Sequence, residues 1–151
     1  PGGVLVFPSS EGITNYPAPA FNPQTGLIYT NVVKSWSLFY TTGGEYFLGD
    51  FRNSLRAFDP TTGKTVWAHE YIEPYGIHAR YPGVLSTAGG LIFTGDVSGN
   101  VVAFNARSGK IVWHDELISA SVGNTPMTYV LDGKQYVVVA SGEKLFAYTL
   151  P

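Results

Sequence analysis

The sequence lacks cysteine, carries few charges and has no long apolar run, and each absence narrows what the chain can be. Without cysteine there is no disulfide framework, so the residues do not report a redox compartment. Nine Lys and Arg stand against 11 Asp and Glu, and no basic stripe occurs, which argues against a nucleic-acid partner. No apolar segment reaches the roughly 18 residues that a membrane-spanning helix needs.

Aromatic residues and turn formers are abundant instead. Aromatic side chains make up 15% of the 151 residues, and 18 Gly and 10 Pro interrupt the chain at short intervals. No stretch keeps a 3.6-residue apolar period over three turns, so amphipathic helices are disfavoured. This composition is typical of short β-strands joined by tight turns. The sequence therefore predicts an all-β fold.

An internal repeat is the clearest pattern. Gly49–Trp67 (GDFRNSLRAFDPTTGKTVW) aligns without a gap with Gly95–Trp113 (GDVSGNVVAFNARSGKIVW), and eight of nineteen positions are identical. Ala20–Tyr29 (AFNPQTGLIY) is a looser copy, with Tyr in place of Trp and one residue fewer after its Gly. A fixed repeat of this size is typical of propellers and other repeat folds.

Each copy is predicted to form a hairpin. Asp59 can accept backbone hydrogen bonds at the first turn position, Pro60 presets φ, and Gly63 suits the left-handed position. Asn105 and Gly109 take the same roles in the second copy. With about four short strands per 46-residue repeat, the chain reads as about three four-stranded antiparallel blades of an incomplete β-propeller, over approximately 1–45, 46–90 and 91–151.

The repeat resembles the tryptophan-docking motif of quinoprotein dehydrogenases, propeller enzymes that use pyrroloquinoline quinone (PQQ). Ala57–Trp67 and Ala103–Trp113 carry its Ala, Asp or Asn, Thr or Ser, Gly and Trp at the family's spacing. The resemblance implies that Trp67 and Trp113 are buried between neighbouring blades, where a flat aromatic covers a large area.

Three further segments extend the resemblance over most of the chain. Tyr81–Asp96 is similar to the entry of a late blade of the family, and Gly123–Gly142 is similar to the blade that follows. Gly12–Gly26 resembles the segment that brings an Asn to the quinone. All these segments belong to the C-terminal half of the family's propeller, so the chain is expected to be its C-terminal part.

Four residues are implied by the resemblance to contact the cofactor. Asn15 would bond a polar edge of PQQ, and Tyr16 stands where the family has Trp after that Asn. Tyr81 likewise replaces a Trp that walls the cofactor, and Arg80 suits a PQQ carboxylate. The alternatives stay open: an Asn that closes its own turn, aromatics that pack at blade seams, and an Arg in a solvated loop.

Trp36 lies in the insertion Val33–Gly44, and the resemblance implies a loop of the kind that roofs the substrate funnel. The alternative is an aromatic used only for packing. The Ca²⁺ ligands, the carboxylate base and the residue stacked on the quinone lie upstream of the matched segments in the family. No catalytic or metal-binding residue is therefore assigned here.

The leading hypothesis for function is part of a periplasmic PQQ-dependent dehydrogenase, with Ca²⁺ in the complete protein. It would oxidise an alcohol or sugar hydroxyl and pass electrons to a periplasmic acceptor, whereas this part alone would be inactive. A second hypothesis is a non-catalytic propeller of PQQ-like repeats that serves as a protein-interaction scaffold. A third, a lectin-like array of blades, rests on aromatic composition alone.

The terminal strands keep an apolar pattern, which bears on partners. Val4–Phe7, Tyr136–Ala140 and Leu145–Tyr148 show none of the polar recoding that caps a repeat array. Closed propellers need about four to eight blades, so about three leave apolar end faces. We expect the remaining blades of a longer protein to cover these faces, or copies of the chain to associate.

We predict that the purified 151-residue chain associates in solution because two copies would bring the number of blades to about six, within the range of closed propellers. Light scattering at micromolar concentration measures the mass. A well-folded monomer with no partner chain present would show that the blade number or the end faces are misjudged.

Overall fold

The computed structural model describes residues 2–71, 82–96, 98–116 and 122–149, with residues 49–52 described by their backbone alone. Within these ranges the chain is built from strands, and no helix long and apolar enough to cross a membrane occurs in them. The predicted all-β class is confirmed.

Twelve strands are formed in this part of the chain. They are β1 (Gly3–Val6), β2 (Ala20–Asn22), β3 (Leu27–Tyr40), β4 (Glu45–Phe58), β5 (Thr65–Glu70), β6 (Leu85–Ser86), β7 (Leu91–Gly95), β8 (Asn100–Asn105), β9 (Ile111–Glu116), β10 (Met127–Leu131), β11 (Lys134–Ser141) and β12 (Lys144–Thr149).

The strands form three antiparallel sheets, named A, B and C in chain order. Sheet A has the order β1-β3-β4-β5, with β2 also paired to β3. Sheet B is a four-stranded meander, β6-β7-β8-β9, and sheet C has the order β10-β11-β12. The sheets are therefore successive blade-like units, as the repeat predicts.

The sheets divide the chain at different points from the approximate segments 1–45, 46–90 and 91–151. Those boundaries separate β3 from β4 and β6 from β7, yet each of these pairs lies in one sheet. An offset between repeats fixes their length but not where a unit starts, which explains the difference. Sheets A, B and C span residues 3–70, 85–116 and 127–149.

The predicted turn chemistry is present in both copies of the repeat. Asp59 Oδ1 accepts hydrogen bonds from the backbone N–H and hydroxyl of Thr61, at 2.8 and 2.7 Å. Asn105 Oδ1 accepts the N–H groups of Arg107 and Ser108, at 3.1 and 3.0 Å. Gly109 has a φ of 68°, which a residue with a Cβ adopts only under strain.

The looser copy has the same turn but another place in the blade. Its Asn22 turn joins the first two strands of a blade, β2 and β3, whereas the other two turns join the last two. In all three hairpins an alanine pairs with the aromatic: Ala20 with Tyr29, Ala57 with Trp67 and Ala103 with Trp113. The extra residue of the longer copies is absorbed where the register shifts beside Ala57 and Ala103.

Sheets A and B share a hydrophobic core, and Trp67 packs against it. The Trp67 Nε1–H donates to the carbonyl of Ala106 at 2.9 Å. Its ring stacks on Phe104 at 6.4 Å between ring centroids and approaches Tyr29 at 5.7 Å. A Cβ added to Gly109 would lie 2.6 Å from this ring, so the absence of a side chain at Gly109 leaves room for the Trp67 ring. Trp67 thus lies between sheets A and B and is partly buried, whereas its role as a tryptophan-docking residue stays a prediction.

Trp113 differs from Trp67 in its surroundings. It meets Tyr148 of sheet C edge-on at 5.0 Å, so it also lies between two sheets. Its side chain nevertheless remains 38% exposed, and the expectation of a buried ring is wrong for this residue. The physical reason is that, among the described residues, no turn of sheet C lies over it as the Asn105 turn of sheet B lies over Trp67.

We predict that Trp67→Ala lowers the free energy of unfolding by about 3–5 kcal/mol, the range for a packed aromatic removed from a core. Trp113→Ala is the matched control and should cost less because part of its ring already contacts water. Urea unfolding of both variants measures the difference. Equal losses would contradict the view that docking on the turn stabilises Trp67.

Candidate cofactor-facing end

The blades have two distinct ends because antiparallel strands reverse direction at every connection. The turns after β2, β4, β6 and β8 gather at one end, here called the turn end, where Arg107 Nη2 donates to the Gln24 carbonyl at 3.1 Å. The opposite end, the loop end, receives the segments that precede β2 and β6. Residues 12–19 and 82–84 therefore enter the blades at the same end.

At the loop end these two segments are hydrogen-bonded to each other. The N–H of Val84 donates to the carbonyl of Ala18 at 2.9 Å. Towards the turn end, Asn22 Nδ2 donates to Ser86 Oγ at 2.8 Å and joins β2 to β6. The bond between Ala18 and Val84 brings residues that follow Asn15 next to residues that follow Tyr81. The predicted proximity of Asn15 to the loop around Tyr81 stays a prediction because Tyr81 lies outside the described residues.

A buried amide fixes the second segment. Asn31 Nδ2 donates to the Pro82 carbonyl at 2.8 Å and to Thr94 Oγ1 at 2.9 Å, and Asn31 Oδ1 accepts the Tyr71 hydroxyl at 2.9 Å. Thr94 Oγ1 in turn donates to the Gly83 carbonyl at 3.1 Å. One side chain thereby holds the residues on both sides of 72–81. Sequence reasoning missed Asn31, although an Asn in the middle of a strand is an available signal.

Asn15 and Tyr16 lie open to solvent at this end. Asn15 Nδ2 makes one long hydrogen bond, 3.4 Å, to the Glu11 carbonyl, and its Oδ1 has no partner among the described residues. The Tyr16 side chain is 69% exposed. An amide oxygen and an aromatic face are therefore both available to a ligand. Arg80 and Tyr81, the other two predicted contacts, lie outside the described residues.

The segment that carries Asn15 is anchored along β3. Ser9 Oγ and Ser35 Oγ are 2.6 Å apart in a buried hydrogen bond, and the Val33 N–H donates to the Ile13 carbonyl at 2.8 Å. Nearby, the hydrogen bond from the Ser10 hydroxyl holds the pKa of the Glu45 carboxyl below its usual range. These contacts fix the backbone on which Asn15 stands.

Trp36 lies on an arm formed by the long β3–β4 hairpin. The expected insertion Val33–Gly44 is largely strand: β3 continues to Tyr40, and β1 pairs with its far end. Trp36 packs on Phe7 with ring centroids 4.7 Å apart and stays 41% exposed. Packing on Phe7 accounts for one face of the ring, and the roofing role stays a prediction.

A metal site was not assigned from the sequence. In the described part of the chain, no group of three or more His, Cys, Asp or Glu side chains could hold a metal ion. Asp96, at the loop end, accepts the N–H and the side-chain amide of Asn100, at 2.8 and 2.7 Å, and so closes a turn. The described residues therefore supply polar and aromatic contacts at this end but no ion cage.

Three blade-like sheets, with alanines opposite aromatics and a Trp docked on the next turn, define a propeller of PQQ-type repeats. The PQQ_2 family model, described as outer membrane protein assembly factor BamB, matches residues 29–150. The chain therefore belongs to this family of PQQ-type repeats, and it is similar over most of its length to quinoprotein alcohol dehydrogenases.

Two similar proteins illustrate the relationship. A quinoprotein alcohol dehydrogenase of Pseudomonas putida, PedH, is 37% identical over 92% of this chain and 25% of its own length. The crystal structure of quinohemoprotein alcohol dehydrogenase from Comamonas testosteroni superposes with a TM-score of 0.78 at 28% identity, covering 93% of this chain and 24% of that one. The chain thus spans about a quarter of the length of the relatives it matches.

A structure of BamB from Moraxella catarrhalis is more distant. It covers 87% of this chain and 49% of that one, with a TM-score of 0.51 and 16% identity. Similarity at this level shows a shared fold. The identity therefore favours the dehydrogenases over the assembly factor as relatives.

We predict that Asn31→Leu lowers the free energy of unfolding by about 2–4 kcal/mol because the buried Pro82 carbonyl and the partly buried Tyr71 hydroxyl each lose a partner. Hydrogen exchange should also accelerate at the Val84 N–H, which lies two residues beyond Pro82. Thr30→Val, on the other face of β3, is the control and should change both measurements little, since its hydroxyl makes only long bonds. Unchanged Val84 protection in Asn31→Leu would contradict the anchoring role.

Proposed function

We propose that this chain is the C-terminal part of a PQQ-dependent alcohol dehydrogenase and forms part of its cofactor pocket. The observation that carries the proposal is the backbone hydrogen bond between Ala18 and Val84, which brings together the two segments that resemble quinone-contacting segments. The similarity to quinoprotein alcohol dehydrogenases over 92% of the chain supports alcohol rather than sugar as the substrate class.

Each predicted contact has a distinct role in this pocket. The free Oδ1 and the amide group of Asn15 would bond a polar edge of the quinone, and the exposed Tyr16 ring would lie against its apolar face. Arg80 would pair with a carboxylate of PQQ, and Tyr81 would form a second aromatic wall. Bound PQQ supplies the redox chemistry, accepting two electrons and two protons as the substrate hydroxyl becomes a carbonyl.

The rest of the catalytic centre would come from the remainder of the protein. The described residues hold no acidic cluster for Ca²⁺, so we propose that the metal ligands and the carboxylate base lie outside them. We place the complete enzyme in the periplasm, where a periplasmic carrier would take the electrons. This chain alone would then be inactive.

A second candidate is a scaffold of PQQ-like repeats without catalysis. The observation that favours it is the family model itself, whose description is that of an outer-membrane assembly factor. The docking of Trp67 serves packing in either case, so it does not distinguish the two functions. Binding of PQQ does.

We predict that the full-length polypeptide carrying this sequence binds PQQ and that Asn15→Ala weakens binding about tenfold, the effect of losing a hydrogen bond worth about 1.4 kcal/mol. Equilibrium dialysis with PQQ and Ca²⁺ measures the affinity. Asn100→Ala is the control because it removes an amide from the same end, yet one bound to Asp96 rather than open to ligand.

The outcomes separate the proposals. Binding that Asn15→Ala weakens and Asn100→Ala does not supports the pocket. Equal affinity in all three proteins would show that Asn15 belongs only to its loop. Absence of PQQ binding in the unmodified full-length polypeptide would contradict the enzyme and favour the scaffold.

A further inference from the structure

Three aromatic side chains alternate along β5 and the residue that follows it, on the face that contacts sheet B. They are Trp67, His69 and Tyr71, spaced two apart as a strand requires for side chains on one face. The His69 ring meets Phe104 of β8 edge-on, with centroids 5.1 Å apart, and meets Tyr71 edge-on at 5.4 Å. Because Trp67 stacks on the same Phe104, the two side chains cover one fully buried ring. His69 is therefore part of the contact between sheets A and B.

The surroundings of His69 suit a neutral imidazole. Its described contacts are with aromatic rings, and no hydrogen bond to either ring nitrogen occurs among the described residues. An imidazolium would carry two N–H donors and a net charge into this place, which is costly without partners. Burial accordingly lowers the pKa of His69 below its ordinary value of 6.5.

Two acidic groups oppose this effect without cancelling it. Glu70 lies on the opposite face of β5, where Arg56 Nη2 is 3.2 Å from its carboxylate. Asp96, in the turn between β7 and β8, accepts two hydrogen bonds within that turn. Both negative charges raise the pKa of His69, but the loss of hydration is the larger effect. Opposite His69, β4 presents Leu55, and β8 carries no charged residue.

Tyr71 connects the contact between the sheets to the loop end. Its backbone N–H donates to the Asn53 carbonyl at 2.9 Å, and its hydroxyl donates to Asn31 Oδ1 at 2.9 Å. The amide of Asn31 in turn donates to the Pro82 carbonyl. If the His69 ring moved away, the Tyr71 ring would lose the packing that orients its hydroxyl toward Asn31. The position of His69 therefore affects how firmly the residues from Pro82 onward are held.

We propose that protonation of His69 weakens the contact between sheets A and B and releases the segment that begins at Pro82. The neutral ring packs against Phe104 and Tyr71, whereas the imidazolium leaves this place for water. The candidate cofactor-facing end is thereby held at neutral and alkaline pH and loosened in acid. This pH response goes beyond the proposed binding of PQQ and needs no ligand.

The pH range follows from the linkage between protonation and opening. The open segment exposes His69, which then titrates near its ordinary value of 6.5, whereas the packed ring titrates lower. Above pH 6.5 the ring is neutral in both forms, so the packed form keeps its full stability. Below pH 6.5, opening takes up a proton and becomes more favourable by at most about tenfold for each pH unit, until the packed ring is itself protonated.

The test is amide hydrogen exchange of the 151-residue chain, measured by NMR between about pH 8 and about pH 5.5. Each rate is divided by the intrinsic exchange rate at the same pH, so the protection factor reports opening alone. We expect the protection of the Val84 N–H, which donates to Ala18, to stay constant down to pH 6.5 and then to fall by about three- to tenfold. Amides at the centre of β11 should keep their protection, because sheet C does not contact His69 through any described ring.

Three single variants, one for each histidine, assign the effect. His69→Phe keeps an aromatic ring but cannot titrate, so protection of Val84 should no longer depend on pH in this range. His114→Phe is the matched control on the exposed strand β9 and should retain the pH dependence. His78→Gln should retain it as well. This second control is needed because residue 78 lies outside the described residues, shortly before Pro82.

A second measurement follows the histidine ring signals of the unmodified chain, which the same variants assign. We expect the His69 ring to titrate below pH 6.5. This measurement still tests the proposal if His69→Phe does not fold, since the other two variants then assign the His69 signal by elimination.

Four results would overturn the proposal. They are constant Val84 protection down to pH 5.5, a pH dependence that persists in His69→Phe, a pH dependence that disappears in His78→Gln, and titration of the His69 ring at or above pH 6.5. No PQQ is present in these measurements. Their failure therefore leaves the proposed enzyme function unaffected, and failure of PQQ binding leaves the role of His69 unaffected.

Discussion

The indole of Trp67 resting on the turn of the next sheet is the contact on which this assembly of sheets depends. One side chain joins a hydrogen bond to Ala106, an aromatic stack with Phe104 and contact with Tyr29, so polar and apolar attraction coincide at one point. Because the sheets are separate hydrogen-bonded units, only side-chain contacts of this kind and a few loop bonds set their relative placement. The relative positions of the loop-end segments therefore depend on this contact between sheets A and B.

In addition to the apolar contacts of Trp67, buried hydrogen bonds of Asn31 connect sheets A and B. Asn31 binds residues from the segment after sheet A and from sheet B, and it is 5% exposed. A buried amide with satisfied donors and acceptor contributes specificity, since a shifted neighbour would leave it unpaired. Residues 82 and 83 are thus held by directional bonds rather than by packing alone.

The local parts of this fold could be predicted and the non-local parts could not. The turns at Asp59 and Asn105 follow from short-range rules, because the side chain bonds its own neighbours along the chain. The boundaries of the sheets required knowing which hairpin begins a blade, and a repeat offset does not contain that. The exposure of Trp113 depends on what the adjoining sheet places over it, and the Asn31 bonds join residues more than fifty positions apart. Of the candidate site, Asn15 and Tyr16 were proposed only through family resemblance, since an Asn in a Gly- and Pro-rich loop has a local explanation of its own.

Gly109 has two structural roles, and together they constrain which residues can occupy positions 67 and 109. Its positive φ serves its own hairpin, while its missing side chain makes room for a ring that belongs to another sheet. A larger residue at 109 would be tolerated only together with a smaller one at 67, and the turn would still be strained. Positions 67 and 109 should therefore covary among homologues. A glycine in the turn of one blade is expected wherever the preceding blade carries the aromatic residue that packs on it.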